Sequence, residues 1–197
     1  MNKKWNYSSF GIPDSYFVRG KAPMTKEEVR AVVMGKLRLQ EEHIFVDVGA
    51  GTGSVSIEAA LKLSKGKVYA IEYKEEALEL LEINKNTFEI NNLNIMRGRA
   101  EIELKKIASF DRIFVGGSSG ALPEVLDYAH QHLTPEGRIV ITAVTIETLN
   151  QGLQGLKTKG FQEIEVISVG ISKGRFTGNY TLMEAQNSVY VISGMKK

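Results

Sequence analysis

Three features of the 197-residue chain predict an α/β fold: a mostly parallel seven-stranded sheet flanked by helices, with an antiparallel C-terminal hairpin. Short β-branched or aromatic runs alternate with amphipathic helical stretches from residue 25 to residue 158, the pattern of parallel strands joined by crossover helices. The first strand, Phe45-Val46-Asp47-Val48, runs into Gly49-Ala50-Gly51-Thr52-Gly53 and then into a helix. The last two strand-like runs have no helical stretch between them, so they should pair antiparallel at one sheet edge.

Residues 1–24 show no periodicity and carry Gly11, Pro13, Gly20 and Pro23, so they read as an irregular N-terminal arm ahead of one domain, 25–197. Trp5, Tyr7, Phe10, Tyr16 and Phe17 are too many aromatics for a disordered tail. The arm should pack on the domain or on a neighbouring subunit. Thr25-Lys26-Glu27-Glu28 reads as a capping box. The helix behind it would bury Val29, Val32, Val33 and Leu37, turn Lys26, Arg30, Lys36 and Arg38 outward, and end near Arg38.

Further on, a helix is expected over 55–63, a strand over 67–72, and a long helix over 75–90 with Ala77, Leu78, Leu81 and Phe88 on its apolar stripe. A third strand covers 94–97, a short helix 101–108, and a fourth strand 112–115. Gly116-Gly117-Ser118-Ser119-Gly120 forms a second glycine-rich turn, followed by a helix over 122–132 with Pro123 in its first turn, where a missing N–H costs nothing. Residues 134–137 read as a turn, 138–143 as strand five, and 146–158 as a helix stopped by Gly160. Strands six (161–169) and seven (188–193) are joined by the polar segment 170–187.

Composition removes several classes of function. Hydrophobic content of 43% and charged content of 24% are those of a soluble globular domain. A net charge of +2 is too slight for a phosphate-tracking surface, so no nucleic-acid partner is expected. The chain has no cysteine, hence no disulfide, no thiolate metal site and no cysteine nucleophile. His130 and His132 are two apart on a helix and share no face, and His43 precedes the first strand, away from the strand ends. No metal site is expected. No apolar run approaches a membrane span and the N-terminus has no apolar core of a signal peptide, so a cytoplasmic protein is expected.

The chemistry points to the C-terminal ends of the strands, where open α/β sheets bind ligands. That rim collects 47–53, Glu72, Arg99-Ala100-Glu101, 116–120 and 142–145. Gly49, Gly51 and Gly53 lack a Cβ, so the backbone there can lie against a ligand, and the following helix offers free N–H groups to an anion. Nineteen residues beyond Gly53, the second strand ends in Glu72, the position of a carboxylate that grips a ribose hydroxyl pair. The spacing is G-x-G-x-G, not the G-x-G-x-x-G of dinucleotide sites. With Asp47, Thr52-Gly53 and Glu72 it resembles the motif of class I S-adenosylmethionine (SAM) methyltransferases, implying their Rossmann-like fold and SAM as cofactor. The turn 116–119 (Gly116, Gly117, Ser118, Ser119) could admit a large substrate close to the methyl donor, or be a plain connection. Lys173 and Arg175 sit in a polar segment that reads either as a solvated hairpin loop or as a pair of clamps for a carboxylate-rich substrate.

A closer resemblance narrows the substrate. Gly11-Ile12-Pro13-Asp14-Ser15-Tyr16-Phe17 and Met24-Thr25-Lys26-Glu27-Glu28-Val29-Arg30-Ala31 are similar to the N-terminal signature of the decarboxylating precorrin-6B methyltransferases of cobalamin biosynthesis. Val46–Gly53, Phe114–Gly120, Gly137-Arg138-Ile139-Val140, Ser172-Lys173-Gly174-Arg175, Met183 and Asn187-Ser188-Val189 follow in the same order. The resemblance implies methyl transfer from SAM to C-15 of cobalt-precorrin-6B with loss of CO2 from the C-12 acetate. It implies cofactor contacts at Thr25, Gly49, Ala50, Gly51, Thr52, Gly53, Glu72 and Ala100, a tetrapyrrole substrate, a homotetramer, and a separate C-5 methylating enzyme. It names no catalytic residue. Arg99 departs from the acidic residue common before the Ala100 position, which makes the Ala100 N–H the expected contact to the base. Rival readings are a SAM methyltransferase of RNA or protein, a nicotinamide-dependent dehydrogenase, and a non-catalytic SAM-binding scaffold. An Asn/Asp-Pro-Pro-aromatic motif after strand four, which would favour the first, is replaced by 116–120.

Overall fold

The computed structural model describes residues 5–197; the first four residues of the arm lie outside them. Seven strands form one sheet in the order β3-β2-β1-β4-β5-β9-β6, with β1 Ile44–Val48, β2 Lys67–Glu72, β3 Leu93–Arg97, β4 Phe110–Val115, β5 Leu133–Ala143, β6 Gln162–Val169 and β9 Val189–Met195. The first five strands pair in parallel, and β9 slots antiparallel between β5 and β6. This is the Rossmann-like arrangement expected, with the terminal pair at one edge. Strand order reverses between β1 and β4, which opens a crevice at their C-terminal ends.

Helices cover both faces: α1 Glu27–Leu37, α2 Ser54–Lys62, α3 Glu75–Thr87, α4 Ala100–Glu103, α5 Leu122–His132 and α6 Ile146–Thr158. The pleat of β1 divides the core. Phe45 packs with Val33, Met34, Leu37, Ile57 and Leu81 on one face, whereas Val46 and Val48 join Ile113, Val125, Leu126 and Ile139 on the other. Asp47 shares the Phe45 face, which is why it meets α2 (Ser56 Oγ to Asp47 Oδ2, 2.5 Å).

Four local expectations are corrected. Thr25 does not cap α1: the N-cap position is Lys26, without a side-chain cap, and the Glu27 N–H donates instead to Asp14 Oδ1 from the arm at 3.0 Å. Arg30 does not face solvent but is fully buried, because Glu58 on α2 supplies a carboxylate to pair with it. Residues 134–137 belong to β5, whose register against β4 shifts between Phe110 and Arg112, with Glu136 at φ 60° in the kink. The segment 170–187 is not a loop but a second antiparallel ladder, β7 Ser172–Thr177 with β8 Tyr180–Ala185. The arm packs on its own domain, with Ile12 and Phe17 in the core and the Phe17 ring stacked on Phe88 at 5.1 Å.

Candidate functional site

The turn after β1 is possible only because of its glycines. Gly49, Gly51 and Gly53 have φ of 72°, 56° and 79°, in the left-handed region that other residues avoid. The turn also leaves no room for side chains. A Cβ on Gly49 would stand 2.1 Å from the Gly117 carbonyl oxygen, so the two glycine-rich turns after β1 and β4 touch. Gly49 and Ala50 N–H groups donate to Ile71 O at 3.0 and 3.1 Å, and the Gly116 N–H donates to Val48 O at 3.0 Å. Backbone hydrogen bonds therefore tie β1, β2 and β4 together where they end.

Glu72 is held by the same frame. Its Oε2 accepts the Gly51 N–H at 3.0 Å, and its Oε1 accepts the N–H groups of Tyr73 and Lys74 at 2.8 and 3.0 Å. Three amides fix the carboxylate, and its remaining lone pairs can accept from a ligand hydroxyl. Asp47 is only 1% exposed, and its second oxygen, Oδ1, is buried with no hydrogen-bond partner. Burial pushes this carboxyl up from 3.8 to about 7, with the Ser56 hydrogen bond opposing and the Glu72 charge adding. The Thr52 hydroxyl oxygen is likewise buried and unpartnered. Buried polar atoms are rarely left unpaired. Of these two residues Asp47 lines a cavity at the strand ends, where its free oxygen can meet a polar ligand, whereas Thr52 does not.

Asp47, Glu72 and the loop residues 49–51 border this cavity, which measures about 410 Å³. Thr25, Gly49, Ala50, Gly51, Glu72, Ala100, Gly116, Gly117, Ser118 and Ser119 line it, together with Asp47, Arg99, Glu101 and Thr142. Thr52 and Gly53 stand behind the loop, with a Cβ on Gly53 falling 2.1 Å from Leu81 Cδ1. Lys173 and Arg175 lie outside the lining and are each engaged elsewhere, Lys173 with Glu28 at 2.6 Å and Arg175 with Glu184 at 2.5 Å.

Sequence reasoning missed Ala22, Pro23, Met24, Tyr73 and Lys74, all of which line the cavity. The signal for Tyr73 and Lys74 is their place directly after Glu72; nothing local marks the arm residues. Arg99 pairs with Glu101 at 2.5 Å and lies 5.7 Å over the Tyr73 ring, while Ser119 Oγ meets the Tyr73 hydroxyl at 3.3 Å. The cavity lining contains no histidine. Among the described residues, no cluster of three or more His, Asp or Glu side chains could hold a metal ion, and no helix is long and apolar enough to cross a membrane.

A glycine cradle, an amide-held carboxylate and orphaned polar atoms suit a nucleoside cofactor, and comparison with known proteins agrees. A family described as "Precorrin methyltransferase domain" matches residues 14–196. A Saccharolobus solfataricus protein named "Probable cobalt-precorrin-6B C(15)-methyltransferase (decarboxylating)" is 40% identical over 98% of this chain and 99% of its own length. A Salmonella typhimurium protein named "Cobalt-precorrin-6B C(15)-methyltransferase (decarboxylating)" is 40% identical over 94% of this chain and 96% of its own. The crystal structure of a Geobacter metallireducens precorrin-6y C5,15-methyltransferase superposes with a TM-score of 0.91 at 37% identity, covering 96% of this chain and 100% of that one. With the fold, the strand-end cavity and this full-length similarity together, the chain belongs to the precorrin methyltransferase family.

Proposed function

We propose that this chain methylates C-15 of cobalt-precorrin-6B and releases the C-12 acetate carboxyl as CO2, giving cobalt-precorrin-7, with SAM as methyl donor. The observation that carries this reading is the contact between the two glycine-rich turns, 49–53 and 116–120, over one cavity with Glu72 at its side. One turn suits a nucleoside cofactor and the other a bulky acceptor, and the names of the full-length relatives supply the acceptor.

SAM supplies a methyl group on a positively charged sulfur when bound. In this reading Glu72 accepts the ribose hydroxyls, and Asp47, Thr52 and the backbone of residues 49–53 hold the amino-acid end, with the Gly49, Ala50, Gly51 and Gly53 N–H groups already bonded within the protein. Thr25 closes that end and the Ala100 N–H takes the base. Gly116–Ser119 present backbone and small side chains to the macrocycle, allowing a close approach. The acceptor carbon is activated by its own conjugation, so the chain contributes orientation and exclusion of water. Lys173 and Arg175 would serve as outer clamps for substrate carboxylates by exchanging their present partners Glu28 and Glu184. The reading further takes the protein to be a cytoplasmic homotetramer whose substrate is methylated at C-5 by a separate enzyme. The exposed hairpin of β7 and β8 supports self-association.

The test is a mass spectrum of cobalt-precorrin-6B after incubation with the protein and SAM. One methyl gained and one CO2 lost is the expected result. A methyl gained with the carboxyl retained would remove decarboxylation from the assignment. Unchanged substrate with SAM tightly bound would redirect it to another acceptor or a scaffold.

A further inference from the structure

The N-terminal arm supplies a wall of the cavity. Five consecutive residues, Ala22 to Lys26, line it. The arm also touches the glycine loop: a Cβ on Gly51 would lie 2.8 Å from the Pro23 carbonyl oxygen. Upstream, residues 18–21 run over the surface as a stretch with no helix or strand, so something buried has to hold them in place.

Two side chains of α3 hold the stretch: Glu76 Oε1 accepts the Lys21 N–H at 3.0 Å in an exposed bond, and the buried anchor is Asn84. Asn84 sits in the third turn of α3 with 0% exposure, where burying a carboxamide is costly unless it is satisfied. Its Oδ1 accepts the Val18 N–H at 2.7 Å, and its Nδ2 donates to Val18 O at 3.0 Å and to Thr52 O at 2.9 Å. One buried side chain therefore pins the arm and the glycine loop to the same point of α3. Arg30 holds Thr25 O at 2.5 Å, but it also pairs with Glu58 inside the core and cannot be removed without disturbing the fold. Asn84 is outside the cavity lining, so its loss leaves Glu72 and Asp47 in place.

We infer that Asn84 is a positioning residue that joins the arm to the glycine loop, so that cofactor affinity depends on the docking of residues 18–26. The inference rests on the cofactor reading above. Binding should in turn clamp the arm, and Arg19 and Lys21 provide exposed cleavage sites that report on it.

The test uses S-adenosylhomocysteine and the full chain. In Asn84→Ala, calorimetry should show a dissociation constant raised about tenfold or more, the order expected when a buried polar side chain and its partners are left unpaired. The KM for SAM should rise in step, while kcat at saturating SAM changes by less than about threefold, as for a lost ground-state contact. In the wild type, S-adenosylhomocysteine should slow tryptic cleavage after Arg19 and Lys21, and the variant should lose this protection at equal ligand concentration. Wild-type affinity in a folded Asn84→Ala overturns the inference. So does equal cleavage of the wild-type arm with and without ligand, a measurement that stands even if the variant does not fold. Failure of the wild type to bind S-adenosylhomocysteine would instead overturn the cofactor reading, and this inference with it.

Discussion

Arg30 and Glu58 form a fully buried ion pair, Nε to Oε1 at 2.6 Å, with side chains 0% and 1% exposed. The pair is surrounded by hydrogen bonds that satisfy it. Glu58 accepts the N–H groups of Gly11 and Ile12 at 3.0 and 2.9 Å, and Arg30 donates to the carbonyls of Ile12 and Thr25 and to Asp14. The arm, α1 and α2 thus meet at two charges, which explains why an irregular arm holds a fixed course over the core.

Breaking such a pair costs more than the pair contributes, because one charge is stranded in the interior. Glu58→Gln keeps the shape and removes the charge, so it should destabilise the fold by about 3–5 kcal/mol in urea unfolding. The double variant Arg30→Met, Glu58→Leu should not recover that loss, because the Gly11 and Ile12 N–H groups and the Ile12 and Thr25 carbonyls lose their partners along with the charges. A Glu58→Gln protein within about 1 kcal/mol of wild type would mean that the pair behaves like a surface bridge.

Asp47 should make stability fall as pH rises. Burial holds its carboxyl proton to about 7 in the folded chain, against 3.8 as the ordinary value, with the Glu72 charge working in the same direction and the Ser56 hydroxyl against it. Between these two values the folded state binds more protons than the unfolded one, so the contribution is full below about pH 4 and lost through pH 7. The span corresponds to something on the order of 4 kcal/mol. Thermal unfolding of wild type and Asp47→Asn across this range measures it: the difference between them should tilt in favour of the variant as pH rises. Parallel curves would show that Asp47 is ionised throughout.

The sheet and the glycine cradle were legible because periodicity and missing side chains are local properties. Strand β2 over 67–72 and helix α5 over 122–132 came out as read. The misreadings share a cause in partners distant in sequence. Thr25 and Glu28 have capping-box spacing, but Asp14 takes the helix N–H and Lys173 takes Glu28. Arg30 sits on a polar stripe by spacing, yet Glu58, 28 residues on, draws it inside. The polar run 172–185 has no apolar alternation facing a core, so its two strands carry no burial signal. At the site, Glu72 was visible as an acid at a strand end, whereas Pro23 and Met24 reach the cavity only because the arm is anchored elsewhere.

Gly49→Ala should damage binding more than stability. The residue holds φ 72°, and a methyl group there would meet the Gly117 carbonyl oxygen at 2.1 Å, so the turns after β1 and β4 must part. A strained left-handed residue costs about 1–3 kcal/mol, and moving the loop adds to the loss of cofactor affinity. We expect a folded protein with a modest fall in Tm and S-adenosylhomocysteine binding weakened at least about a hundredfold, given contacts of that size lost at the loop. Unchanged affinity would show that the turns can separate without cost.

The hairpin of β7 and β8 is the part of the fold least able to stand alone. It forms a sheet of only two strands, with all twelve strand residues exposed, including Phe176 at 85%, Tyr180 at 77% and Met183 at 67%. Isolated two-stranded ladders are marginal in water, and their edges offer unpaired amides to another chain. Phe176 lies opposite Thr181, and Gly174 opposite Met183, so Phe176 and Met183 share one face of the ladder. In the proposed homotetramer that face is covered by neighbouring copies. Light scattering coupled to gel filtration should give a tetramer for the wild type and a smaller species for Phe176→Asp, Met183→Asp, because two buried charges oppose reassembly. The cavity lies apart from these side chains, so the variant should still bind S-adenosylhomocysteine. A wild-type monomer, or a variant that remains tetrameric, would show that the hairpin is not the contact between copies.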